Sequence, residues 1–281
     1  MPFFAPGDDP GPDFAALLRR SGLTPPNVPF EAADRLEIAH GTTCVAVRYA
    51  DGVVMAGDRR ATAGNWISHR TIEKVFPADR YSGVAIAGAA GPAVEMVRLF
   101  QLQLEHYEKV EGTHLSLEGK ANQLGQMIRN NLPAAMAGMA VVPIFAGYDT
   151  KRQVGRLFQY DITGGRYEET DFTATGSGSL HASTVVKLGF RFDMERESTI
   201  DLVLRALWEA ADEDSATGGP DLVRRIFPVV ATITASGFDR VADAELEERS
   251  RALIDSLGPA EVHRREPPGG TVPDSSPEVQ G

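Results

Sequence analysis

At His40-Gly41-Thr42-Thr43 a permissive glycine precedes a hydroxyl side chain that opens a β-forming run. Were the Gly41–Thr42 bond cut, Thr42 would carry both a hydroxyl and a free α-amino group. Such an amine has an ordinary pKa of about 7.7–8.0, some 2.5 units below a lysine. It is partly neutral at physiological pH and is able to act as base for its own side chain. Asp58 lies between two β-forming runs, in Met55-Ala56-Gly57-Asp58-Arg59-Arg60-Ala61-Thr62, and Lys74 follows a later one. A lysine near Thr42 would favour the neutral amine through like charge, and an aspartate paired with that lysine would keep it charged and fixed. Plain readings stand beside these. Thr-Thr also opens strands through β propensity, Asp58 also fits a hairpin loop, and Lys74 also fits a solvated strand edge.

The elements that must hold these residues are set by the composition. The chain has 281 residues, 42% of them apolar and 24% charged, which is ordinary globular usage. Lys and Arg number 28 against 39 Asp and Glu, a formal charge of -11; this opposes nucleic-acid binding, which needs clustered cations. The single cysteine, Cys44, rules out an internal disulfide framework and a Cys-based zinc cluster. It suits a reducing compartment. No apolar run approaches the roughly 18 residues of a membrane span, and Met1–Pro12 lacks the features of a secretory signal. A cytoplasmic protein without membrane association is expected. Histidines 40, 69, 106, 114, 181 and 263 have no metal-ligand spacing, and no motif supports a Ser-His-Asp triad.

Seven of the 18 prolines fall in residues 1–41 and four in residues 264–281. Both ends are expected to be mostly disordered, since they bury too little apolar surface to offset chain ordering; Phe14–Arg20 is expected to form at most a helical turn or two. The body between reads as one domain. Strands are expected at 43–49 and 53–57, joined by an Asp51-Gly52 turn, then near 66–70, 74–77 and 83–87. Helices follow at about 91–110, with Pro92 suited to the first turn, and at 117–132. Strands return at 141–148, 155–161 and 166–171, with a tip at Gly164-Gly165. Helices at 179–189 and 198–213, a strand at 229–235 and a charged helix at 243–256 complete the order. Segregated runs of this kind indicate stacked sheets with helices outside.

The ordered set HGTTCVAVRYADGVVMAGDRRAT, Lys74, AIAGAAGPA, TGSGS and DEDSATGG resembles proteasome β subunits, with leader and tail most like the bacterial, actinobacterial-type form. The motifs are weak singly and specific as an ordered set over roughly residues 41–240. The resemblance implies an α+β, four-layer αββα sandwich, the N-terminal nucleophile hydrolase fold. It implies a propeptide at 1–41 removed by self-cleavage between Gly41 and Thr42, a catalytic domain at 42–258 and a flexible Pro-rich tail at 259–281.

Carried over by position, the resemblance makes Thr42 the nucleophile, Asp58 the acid and Lys74 its basic partner. Gly88 becomes the residue whose backbone N–H faces the developing oxyanion, where a side chain would obstruct approach; GAAG also fits a strand-to-helix turn. A phosphate-loop reading fails because no Gly-Lys-Ser/Thr follows. Ser177 and Asp214 match the shell around the amine, and Thr217 supports them where many relatives have serine; read alone, both segments are Gly/Ser turns. Thr62 and Ala90 match positions that pair with an extended peptide. Ala61, Ile72, Phe76, Ile86 and Val94 match the pocket for the residue before the cut. With no charge among them an apolar residue is expected there, though ordinary core residues look the same in sequence.

The implied function is a threonine endopeptidase, the catalytic β subunit of a bacterial 20S proteasome, without cofactor or metal. The implied partners are proteasome α subunits, other β subunits (seven to a ring, 14 in a 28-subunit particle), an ATP-dependent ring activator acting through the α rings, and unfolded protein substrates. A catalytically silent ring subunit and a small-molecule amidase of the same fold remain as alternatives.

Overall fold

Strand β1 (Thr43–Tyr49) and strand β2 (Gly52–Gly57) form the hairpin that the sequence signals, from Cys44 opposite Gly57 to Tyr49 opposite Gly52. The computed structural model describes residues 42–263; the leader with Phe14–Arg20, and the end of the tail, lie outside the described residues. Side chains alternate across a strand, and both faces of this hairpin are buried. Cys44, Ala46, Val53 and Met55 pack in one apolar cluster, whereas Val45, Val47, Val54 and Ala56 belong to another.

The hairpin is the centre of a five-stranded sheet, β10-β1-β2-β11-β12, with β10 at Phe172–Gly176, β11 at Val229–Thr234 and β12 at Gly237–Arg240. A second sheet has the order β5-β6-β7-β8-β9, made of Val75–Asp79, Ser82–Ala85, Ile144–Asp149, Val154–Tyr160 and Arg166–Glu169. A separate ribbon, β3 (Ala61–Ala63) and β4 (Trp66–His69), stands beside them. Every pairing is antiparallel.

Between the stacked sheets lie mostly small and β-branched side chains, Cys44, Ala46, Ala85, Ala146, Ala231 and Val229 among them. On the outside of the second sheet pack α1 (Ala90–Glu111) and α2 (Leu117–Asn130), joined to it by Phe100, Phe145, Phe158 and Tyr160. On the outside of the first pack α4 (Ser179–Gly189), α5 (Arg196–Glu213) and α6 (Asp243–His263). A one-turn α3 (Leu132–Met136) follows α2, which stops before Pro133 because proline supplies no N–H to continue it. The result is the four-layer sandwich with antiparallel sheets inside. Among the described residues no helix is long and apolar enough to cross a membrane.

Several boundaries differ from the sequence reading. The run expected at 166–171 is β9 alone, ending at Glu169, and β10 at Phe172–Gly176 is a strand the sequence reading did not expect. The chain leaves the second sheet at Glu169 and enters the first at Phe172, beside β1. β3 and β12 are further strands, too short or too polar to show periodicity. Strand β7 begins at Ile144, Val141 making only an isolated bridge to Gly88. The last helix continues beyond residue 256 to His263, past the start expected for the tail.

Candidate active site

Asp58 is the first residue after β2 and is fully buried. Its Oδ1 accepts the Thr43 N–H at 2.8 Å and Lys74 Nζ at 2.6 Å; its Oδ2 accepts the N–H groups of Arg60 at 2.8 Å and Gly218 at 2.9 Å. Four donors match the four acceptor sites of a carboxylate. Lys74, 2% exposed, also donates to the Arg60 carbonyl at 2.6 Å, and Ile86 N–H ties down its own carbonyl at 2.8 Å. One carboxylate oxygen thus joins the buried ammonium to the start of β1. Lys74 is a core residue, not the solvated edge lysine of the plain reading.

Thr42 is itself buried, and its carbonyl accepts the Ser177 N–H at 2.8 Å. Beyond it runs a hydroxyl chain whose proton order follows from donor counting. Asp214 Oδ2 accepts from Ser177 Oγ at 2.5 Å and from Thr217 Oγ1 at 2.6 Å. Thr217 therefore accepts from Thr43 Oγ1, 2.5 Å away, and Thr43 Oγ1 accepts the Gly178 N–H at 3.0 Å. With its one proton on Asp214, Ser177 Oγ presents a lone pair to the Thr42 nitrogen at 3.5 Å. Thr43 and Gly178 are members that sequence reasoning missed; the Thr-Thr doublet was the available signal, hidden by its ordinary strand propensity.

Gly88 has φ of +105°, and a Cβ there would lie 2.1 Å from the Ala140 carbonyl oxygen. Ala89 N–H and the Ala87 carbonyl take the bonds to Ala140 and Val142, both at 2.9 Å. The Gly88 N–H is consequently turned away from that segment. Cys44, two residues after Thr42, touches Ile86, two residues before Gly88, through a 3.4 Å Sγ–carbonyl contact. Burial pushes the Cys44 thiol up to about 12, against the lowering effect of Lys74.

Ile72, Phe76, Ala90 and Val94 line one open groove of about 770 Å³. Ala61, Thr62 and Ile86 do not: the first two sit on β3, and Ile86 packs beneath α1. The groove also carries Glu73, Glu95 and Arg98 beside the uncharged carried-over positions. These residues were missed because the carried-over positions are interleaved with them along two elements. Glu73 is held at 2.6 Å by Arg240 from β12. Among the described residues no group of three or more His, Cys, Asp or Glu side chains is placed to hold a metal ion.

A buried Lys-Asp pair and a hydroxyl chain gathered on the first residue of a strand, within an αββα sandwich, suit the N-terminal nucleophile class. A family model described as "Proteasome subunit" matches residues 38–224. The chain belongs to the proteasome subunit family. It is 59% identical over 248 residues to a "Proteasome subunit beta" of Acidimicrobium ferrooxidans, covering 88% of this chain and 91% of that one. It is likewise 59% identical over 220 residues to a protein so named from Streptomyces griseus, covering 78% of each chain. A third, from Acidothermus cellulolyticus, is 56% identical over 248 residues, covering 86% of this chain and 85% of that one. Within a family of proteases, the likeness is to β-type members.

Proposed function

We propose that the chain is the catalytic β subunit of a 20S-type proteasome, a threonine endopeptidase that makes its own nucleophile by removing residues 1–41. The carrying observation is the buried Asp58 carboxylate that bonds both the Thr43 N–H and Lys74 Nζ. In self-cleavage, Thr42 Oγ adds to the Gly41 carbonyl, the C–N bond breaks, and an ester and a free amine result. Water then hydrolyses the ester and releases the leader. In the mature chain Thr42 Oγ attacks a substrate carbonyl while the Thr42 amine takes its proton and passes it to the leaving amine. The Gly88 N–H donates to the oxyanion. Water, deprotonated by the same amine, releases the acyl group. Lys74 supplies fixed positive charge that favours the neutral amine, Asp58 fixes Lys74, and Ser177 with Asp214 and Thr217 orients the amine. The groove at Ile72, Phe76, Ala90 and Val94 receives the residue before the cut, with Thr62 and Ala90 pairing to the peptide backbone.

The relatives' shared name supports assembly into a proteasome. In the proposed particle two seven-membered β rings stand between α rings and are fed by an ATP-driven ring in the cytoplasm. Exposed apolar side chains on α1, Leu99, Leu102 and Val110, suit burial by such neighbours. Intact mass and N-terminal sequencing of the chain matured with its α partner test the reading. The expected product begins at Thr42; an active enzyme still carrying its leader would overturn it.

A further inference from the structure

Beside the Asp58 network, Arg59, Arg60 and Arg70 line a small recess with Gly218, Gly219 and Asp221. Elsewhere, Arg48 aside, buried or half-buried arginines meet carboxylates: Arg156 meets Glu168 and Asp149, Arg166 meets Glu118, Arg196 meets Glu245, and Arg249 meets Asp201. Among the described residues, these three meet none. Arg59 Nη2 donates to the Thr71 carbonyl at 3.2 Å, its Nε is buried without a partner, and Arg60 Nη1 donates to the Ser215 carbonyl at 2.9 Å. Asp221 is engaged by Arg224, through its N–H at 2.8 Å and its guanidinium at 2.7 Å. The recess is thus an unneutralised cationic spot on a chain of charge -11.

We propose that this recess is the docking site for the acidic leader segment 31–37, which it holds while the Gly41–Thr42 bond is cut. The proposal rests on the self-processing reading. Glu31, Asp34 and Glu37 provide three carboxylates against one cation, Arg35. The segment is tethered close by: Glu37 stands five residues before Thr42, a reach of up to about 17 Å at about 3.4 Å per residue. The recess is nearer still, since Asp58 accepts from Thr43 on one side and from Arg60 and Gly218 on the other. Partly exposed ion pairs are individually weak, and the tether makes them effective by raising local concentration. Cutting the bond removes the tether, so the leader is held before cleavage and let go after it. Arg59 and Arg70 act as positioning residues for leader removal and have no part in peptide turnover.

The test measures leader removal by intact mass, with the full chain assembled alongside its α partner. The leader variant E31Q/D34N/E37Q leaves the folded body untouched and is expected to slow processing by about three- to tenfold, the range of a few weak ion pairs. The body variant R59E/R70E is expected to slow it as much, and combining it with E31K/D34K/E37K to restore most of the rate. Chains that have lost the leader are expected to hydrolyse an unstructured peptide at the wild-type rate with or without R59E/R70E. Raising salt is expected to slow wild-type processing while sparing the E31Q/D34N/E37Q rate. Wild-type speed in the leader variant, or no rescue by the charge swap, overturns the docking site. So does a loss of particle mass in R59E/R70E whatever the leader charge, which would assign the recess to a second copy of the chain. Failure of wild-type chain to process at all would strike the self-processing reading instead.

Discussion

Thr42 carries no special chemistry as an internal residue; what distinguishes it is the set of groups that meet at its nitrogen and at the next residue. Ser177 Oγ faces that nitrogen and Asp58 holds the Thr43 N–H. Thr42→Ala is expected to abolish both leader removal and peptide hydrolysis at a stability cost of about 1 kcal/mol. Mass spectrometry, a fluorogenic peptide assay and thermal melting check the three parts, and a melting loss several times larger would recast Thr42 as structural. Lys74→Ala differs because it leaves a fully buried carboxylate without its cation. Losing one partner of such a pair costs about 3 kcal/mol, moderated here by the three N–H groups that Asp58 keeps. Urea unfolding is expected to show that loss together with turnover at least a hundredfold lower. Lost stability with unchanged turnover would make Lys74 a core residue only.

At the scale of elements, the site depends on β10 lying against β1. Gly176 pairs with Thr43, has φ of +100°, and a Cβ there would lie 1.9 Å from the Thr42 carbonyl oxygen. Gly176→Ala is therefore expected to push Thr42 off its Ser177 contacts and to cost at least about 2 kcal/mol. Its signature is joint loss of processing and of melting temperature; a normally processed, normally stable variant would show that β10 yields without harm. The same strand exposes a limit of sequence reading. Phe172-Thr-Ala-Thr-Gly follows β9 after only two residues, and this short Thr- and Gly-containing run shows no periodicity that marks it as a strand of the opposite sheet.

For the whole molecule, pH acts on groups at both ends of the scale. Arg156 hydrogen bonds lower Glu168 from its usual 4.5, and Arg196 does the same for Glu245. Carboxylates lowered in the fold stabilise it above their unfolded values, and the contribution is lost as pH falls through the lowered ones. Both are part-exposed, so screening keeps the effect small. At the alkaline end, burial raises Cys44 from 9.0 and Tyr49 from 10.0, each to about 12, and raises Tyr160 further. Their neutral forms support the fold fully below about pH 9. Melting temperature is expected to be flat between about pH 5 and 9, to fall modestly in acid and to fall more steeply toward pH 12. A steep fall between pH 6 and 8 would contradict this.

Assembly belongs to the same scale. On α1, Met96, Val97, Phe100 and Leu104 are buried within the domain, whereas Leu99, Leu102 and Val110 remain 47%, 61% and 66% exposed. The apolar side chains of α1 therefore form two faces, only one of them used by the core. Light scattering is expected to find a particle of several hundred kDa when the chain is mixed with its α partner, and slow processing without it. A stable, processed and active monomer would favour a free-standing amidase over a ring protease.

Local sequence was enough for the hairpin beside Thr42 and Asp58, the five long helices and the ordering of motifs. These are local matters: β-branched alternation, an Asp-Gly turn, periodic apolar stripes and a proline in a first turn act over neighbouring residues. The motif order carried Ser177, Asp214 and Thr217 into view only by resemblance, since a Gly/Ser turn looks the same whatever it faces. Tertiary structure alone decided that Lys74 is buried on Asp58, that Thr43 bridges to Thr217 across 174 positions, and that Glu73, Glu95 and Arg98 edge the groove. Hydrogen bonds of that kind require separate strands to be stacked in a fixed register. No periodicity in the chain encodes which distant donor will find a buried carboxylate.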